Sequence, residues 1–178
     1  RFINKLHFSG VDETYRFAPA EAVFDRVLAE ESPDVVHIQH MIHLSTGLVE
    51  RCRRQNVPTV VTISDFWSRC PKVQRIRPDG KNCTLSPPGL ACAACVKDHS
   101  GWVEPLAFLD RAMGGLSQWW ANRVPQTVPA HPPGWKKSRE DGASLVRRKH
   151  WMRDVLVGAD RLVVPAATLK TSLLEMGI

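Results

Sequence analysis

The chain has 178 residues, 43% of them hydrophobic, and a formal net charge of +6. That length and apolar content suit one domain with a proper core, or the larger part of one, and exclude intrinsic disorder. No run of about 18 uncharged apolar residues is present to span a membrane, and no charged-then-apolar amino-terminal segment suggests secretion, so a cytoplasmic location is expected.

The opening RFINKLHFSG contains no glycine-rich turn between a strand and a helix, so no phosphate-cradling loop of the usual kind is expected there. Next, APAEAVFDRVLAEES predicts a helix with Pro19 in its first turn and Val23, Phe24, Val27 and Leu28 toward the core. From Pro33 to Ile63 the pattern predicts a β-α-β unit. VVHI is a short β-branched run, LSTGLVERCRRQN puts Leu44, Leu48, Val49 and Cys52 on one helical face, and VPTVVTI is a second β-branched run. Ser45 or Thr46 is the expected N-cap of that helix and Asn56 its stop. Such a unit is a right-handed crossover, so its strands run parallel and their carboxyl ends share one edge, where open α/β sheets bind ligands. The first strand delivers Gln39, His40 and His43 to that edge, and the second delivers Ser64, Asp65, Phe66 and Trp67.

The second strand runs into SDFWSRCPKVQRIRPDGKNCTLSPPGLACAAC, which holds Cys70, Cys83, Cys92 and Cys95 in the spacing C-x12-C-x8-C-x2-C. Four thiolates suit a tetrahedral zinc, and Cys92-Ala93-Ala94-Cys95 would supply two ligands from one tight turn. Cys70 and Cys83 would supply the others from an excursion whose tip is Arg77-Pro78-Asp79-Gly80. An iron–sulfur cluster, a pair of disulfides and a redox C-x-x-C compete with this reading; cytosolic reducing conditions and the spacing favour a structural zinc. Cys52, alone on an apolar helical face, is expected to be a small core residue.

Further on, Val103 to Arg123 predicts a helix weakened at Gly114-Gly115, and PQTVPAHPPGWKKSREDG, with six Gly and Pro in eighteen residues, predicts an irregular connection. Order returns with SLVRRKHWMRDVLVGAD as a helix, RLVVP as a third buried strand and AATLKTSLLEMGI as a last helix. The alternation predicts an α/β fold, a mainly parallel Rossmann-like sheet with helices on both faces and a Cys-rich loop over 68–100 inserted in it. Lys136 to Arg153 holds seven basic and two acidic residues, nearly all of the net charge. A solvated helix face, a phosphate-rich ligand, an anionic membrane surface and nucleic acid each fit such a run.

The motifs then carry a resemblance. PDVVHIQHMIHLSTGLVERCRRQNVPTVVTISDFWSRCP resembles the first-half domain of the retaining, nucleotide-sugar-dependent glycosyltransferases of family 4; RIRPDGKNCTLSPPGLACAAC resembles the cysteine-bearing insertion of one branch, and GADRLVVPAATLKTSLLEMGI the segment closing the first domain. The resemblance covers roughly Pro19 to Ile178. It implies two facing Rossmann-like halves, with residues 1–178 as part of the acceptor-side half. A sugar or lipid-linked acceptor would meet this half, and the nucleotide-sugar donor a carboxyl-terminal half not in this sequence. The family's first strand, glycine-rich loop and two-glutamate donor motif are also not in it, so the chain alone is not expected to transfer sugar. Within the match, Ser64 stands where the family has His, and Ala166 where it has Ser. A hydroxyl at Ser64 can hydrogen-bond but carries no charge near neutral pH.

Gln39, His40, Ser64, Asp65 and Trp67 are the candidate substrate contacts. His40 suits an acceptor hydroxyl. Asp65 suits a sugar hydroxyl, a base or a cap of the following turn. Trp67 and Phe66 suit a sugar face or a local core, and Trp119-Trp120, Trp135 and Trp151 core or docking positions. The three-residue steps of His37, His40 and His43 run from strand into turn and do not fix a metal geometry. Peripheral contact with the inner membrane face through Lys136 to Arg153 is expected; nucleic acid is not, because interleaved base-stacking aromatics and a known docking element are missing. The alternative to an enzyme is a zinc-stapled binding module that keeps the fold without the chemistry, and a more remote one a basic zinc protein that binds nucleic acid.

Overall fold

The structure, a computed structural model, describes residues 8–83, 89–97, 100–113 and 135–178. By its internal contacts the chain divides into two compact units, one of Arg1–Gln74 with His150–Ile178 and one of Arg75–Lys149.

The first unit is an α/β layer pair. Helix α1 spans Ala18–Glu31 with Pro19 in its first turn, where a missing N–H costs nothing. Strand β1 is Val36–Ile38, helix α2 Gly47–Arg54 and strand β2 Thr59–Thr62. Asn56 takes a left-handed φ of 56° just past α2, so the expected stop is a real one. β1 and β2 pair in parallel, Val36 against Thr59 through Ile38 against Val61. Strand β3, Arg161–Val163, joins β2 in parallel and completes an open three-stranded sheet in the order β1-β2-β3.

Strands added in one direction by right-handed crossovers put their connecting helices on the same side. The core follows: Ile38 and Val61 of the sheet pack with Leu48 and Val49 of α2 and with Met152, Val155 and Leu156 further along the chain. His37, Arg161 and Val163 point the other way and are exposed. Among the described residues of this unit helices therefore cover one face, not the two expected. For the same reason β3 is an exposed edge strand rather than a buried one, with Val163 46% exposed.

The start of α2 shows how tightly the helix layer fits. Ser45 Oγ, fully buried, accepts the amides of Phe17 and Gly47 and donates to Glu21 Oε1 at 2.7 Å, while Arg51 donates to Glu21 Oε2. The N-cap is Thr46, which makes no side-chain capping bond: its hydroxyl donates to Tyr15 O, and the Gly47 amide is taken by Ser45 Oγ from one residue further back. A Cβ on Gly47 would lie 2.2 Å from Glu21 Oε1. Gly47→Ala should therefore cost about 1–3 kcal/mol in urea unfolding, because Glu21 must leave both Ser45 and Arg51. In a Glu21→Ala background the same change should be neutral or stabilising, since Ala is the better helix former by about 1 kcal/mol; a cost undiminished there would sink the steric account.

Helix α6, Ala167–Leu174, follows β3, and Leu169 and Leu173 are its buried apolar residues. Ala166 sits at its N-cap with extended φ/ψ and no side-chain hydrogen bond. Ala166→Ser should supply the missing acceptor and raise stability by about 1 kcal/mol, read as a melting temperature about 2–4 °C higher. An unchanged melting temperature would mean that water already serves those amides.

In the second unit the expected tip at Arg77-Pro78-Asp79-Gly80 is present. Ile76 and Asn82 form an antiparallel bridge, the Gly80 amide donates to Arg77 O, and Gly80 takes φ 78°, open to glycine without strain. Arg77, almost fully buried, clasps the tip through Asp79 and also pairs with Glu104. That guanidinium holds the Asp79 carboxyl below its usual range. Helices α3, Leu90–Val96, and α4, Ser100–Ala112, pack together, and α5 runs Trp135–Val157. The expected irregular connection therefore gives way to helix at Trp135, with Gly142 accommodated in a buried position where packing offsets its weak propensity. Gly114-Gly115, Trp119-Trp120 and the rest of that connection lie outside the described residues.

Candidate functional site at the carboxyl edge of the sheet

Because β1 and β2 are parallel and in register, the residues after Ile38 and after Thr62 emerge side by side. His40 and Asp65 meet there, with 2.7 Å between His40 Nε2 and Asp65 Oδ2. The Ile42 amide donates to His40 Nδ1 at 3.0 Å. An amide donor at Nδ1 leaves the ring proton on Nε2, so the imidazole donates to the carboxylate. Asp65 Oδ1 accepts the Trp67 amide at 2.7 Å, an Asx turn that closes the strand exit.

Both ring nitrogens of His40 are thus committed, and its role is to orient Asp65. Each carboxylate oxygen has one of its two acceptor sites used by these bonds. About a third of each side chain is exposed, 31% for His40 and 30% for Asp65, so the remaining acceptor capacity faces solvent. Chemically, Asp65 can accept hydrogen bonds from a ligand's hydroxyl groups.

The other candidates divide around this pair. Trp67 is 5% exposed, part of the core, with its ring tilted against His40 at 5.9 Å between centroids. It backs the imidazole instead of offering a free face. Ser64 is exposed on the same edge. Gln39 turns to His37, its amide 3.1 Å from Nδ1, and His37 Nε2 lies 2.8 Å from Thr62 Oγ1. His37, exposed on β1, thus centres a second polar cluster at this edge. Register holds the signal: His37 aligns with Val60, and Thr62 is the next residue on that face. His43, at φ 61°, stacks on Phe8. The three histidines therefore diverge.

The cysteines are thiols, with no disulfide among the five. Cys70 lies in the first unit, in a turn where its amide donates to Phe66 O and its carbonyl accepts from Val73. In the second unit, Cys83 closes the hairpin by bonds to Arg75, and Cys92 and Cys95 sit one turn apart on α3 instead of in a tight non-helical turn. The donor chemistry and the shared helix face fit a thiolate-bound metal. Among the described residues no group of three or more His, Cys, Asp or Glu side chains is gathered as a metal site. Cys52 is fully buried on α2, and burial pushes its thiol pKa up, as expected of a core residue.

The basic run on α5 does not form one face. Arg148 is 2% exposed, Arg147 donates to Ser144 Oγ, and Arg153 pairs with Asp154; the side chains of Lys136, Lys137 and Arg139 lie outside the described residues. Trp151, near the end of that run, donates its indole N–H to Thr46 and carries Arg16 over its ring at 4.3 Å. No helix among the described residues is long and apolar enough to cross a membrane. No family model matches the chain, nor does any curated protein or solved structure.

Proposed function

We propose that this chain is the acceptor-side part of a retaining glycosyltransferase that moves a sugar from a nucleotide-sugar donor to a glycan or lipid-linked acceptor, in the cytoplasm or at the inner membrane face. The observation that carries the reading is the Asp65 carboxylate, set where two parallel strands end and oriented by His40 and the Trp67 amide. A sugar acceptor presents hydroxyl donors, and Asp65 has the open acceptor positions to take them. In this reading Asp65 holds an acceptor hydroxyl, His40 is the positioning residue behind it, and Ser64 and Gln39 border the same edge. Transfer of this kind rests on placing the reactants and on stabilising the departing diphosphate; the second task is assigned to the donor-binding half.

Cys70, Cys83, Cys92 and Cys95 are proposed to hold a structural zinc, whose closed coordination staples the insertion and leaves no position for substrate.

The test joins this chain to its donor-binding half and measures nucleotide-sugar binding and hydrolysis. Binding of a donor, with transfer lost on Asp65→Ala, is the expected result; failure to bind any common donor overturns the enzyme reading. The exposed hydroxyl at Ser64, in place of an imidazole, favours the alternative of a zinc-stapled binding module. That alternative predicts acceptor binding sensitive to Asp65→Ala with no donor hydrolysis.

A further inference from the structure

Helix α4 is apolar almost all the way round: of its thirteen residues only Ser100, Glu104, Asp110 and Arg111 are polar. Its inner side is accounted for, since Val103, 2% exposed, packs on Ala94 and Cys95 of α3. Its outer side is not. Trp102, Phe108 and Leu109 are 62%, 68% and 42% exposed. With Pro105 they share one side of the helix, because steps of three, four and seven residues return to the same face. Burying such residues is worth about 1.5–3 kcal/mol each, so their joint exposure in water marks an interaction surface. Glu104, the acidic side chain beside them, is neutralised by Arg77 and faces Arg111 at 4.0 Å.

Charge says what covers that face. The Arg75–Lys149 unit, which contains α4, has twelve basic and six acidic residues, whereas the other unit has twelve of each. The whole surplus of +6 therefore belongs to the unit with the exposed aromatic stripe. We propose that Trp102, Phe108 and Leu109 dip into the interfacial zone of an anionic lipid bilayer, held there by that surplus charge.

Three occupants compete, and two properties separate them. A second copy would satisfy the apolar stripe but bring two units of +6 together. A nucleic acid would satisfy the charge but offer no apolar medium for three large side chains. An anionic bilayer satisfies both: Trp and Phe favour the headgroup boundary, and basic residues near the surface add to the attraction. The inference stands apart from the sugar-transfer reading, since nothing in it requires a donor or an acceptor.

The test is sedimentation of the 178-residue chain with vesicles of phosphatidylcholine alone or mixed with phosphatidylglycerol. Binding to the mixed vesicles, weakened by salt and accompanied by a blue shift of tryptophan fluorescence, is expected. The double variant Trp102→Ser, Phe108→Ser should lose about tenfold or more in vesicle affinity with its circular dichroism unchanged, as both side chains are solvent-exposed. Undiminished binding by the variant would mean that charge alone does the work and overturns the proposal. So would indifference to phosphatidylglycerol vesicles at low salt, whether with binding to duplex DNA or with self-association abolished by the same substitutions.

Discussion

Protein purified without added metal should carry about one zinc per chain, and chelation should release it with loss of order around Cys83, Cys92 and Cys95. Structural zinc in small modules carries about 10–16 kcal/mol of apparent binding free energy near neutral pH, so this is the largest effect expected of any single removal. Thiol counting supplies an internal control. Before chelation none of the five cysteines should react readily with iodoacetamide; afterwards four should. Cys52 should stay unlabelled, being fully buried with its thiol pKa pushed up by that burial. Cys92→Ser should abolish metal retention and Cys52→Ala should not. Iron with visible absorption, or four thiols reactive from the outset with no metal present, would refute the assignment.

Asp65→Ala should cost about 2 kcal/mol of stability, because it strips the acceptor from the Trp67 amide and from His40 Nε2 together. In a chain of this size that is a fall of about 4–8 °C in melting temperature. Acceptor binding should be lost altogether. Asp65→Asn keeps an acceptor for the Trp67 amide but turns its NH2 toward the protonated Nε2, so it should recover most of the stability and little of the binding. His40→Gln is informative for the opposite reason. A Gln amide can still donate to Asp65, and a positioning role predicts partial binding, whereas a direct proton-transfer role predicts none. Equal stability of Asp65→Ala and the parent chain would remove the Asx turn from the account.

The same residues show how far the linear pattern reaches. The β-branched runs VVHI and VPTVVTI, the apolar spacing of α2, its stop at Asn56 and the RPDG tip are all legible, since each depends on preferences expressed within a few residues of the backbone. Parallel pairing followed from the crossover rule, so the carboxyl edge and most of its residues could be named. Which residues meet at that edge was not legible. His40 and Asp65 are 25 residues apart, and nothing within either segment says that one will orient the other or that the Trp67 ring will back the imidazole.

Sequence alone determined the element types, the parallel β-α-β unit and the cysteine set, because periodicity, turn chemistry and donor type are local properties. Tertiary structure decided the rest. It showed that, among the described residues, the helices of the first unit cover one sheet face and leave β3 an exposed edge, that α5 takes in Trp135 to Val157, and that Arg148 is buried out of the basic run. It also left Trp102, Phe108 and Leu109 in solvent, although composition would have placed them in a core. Burial belongs to surfaces that segments distant in sequence bring together, and no window along the chain contains both sides of such a surface.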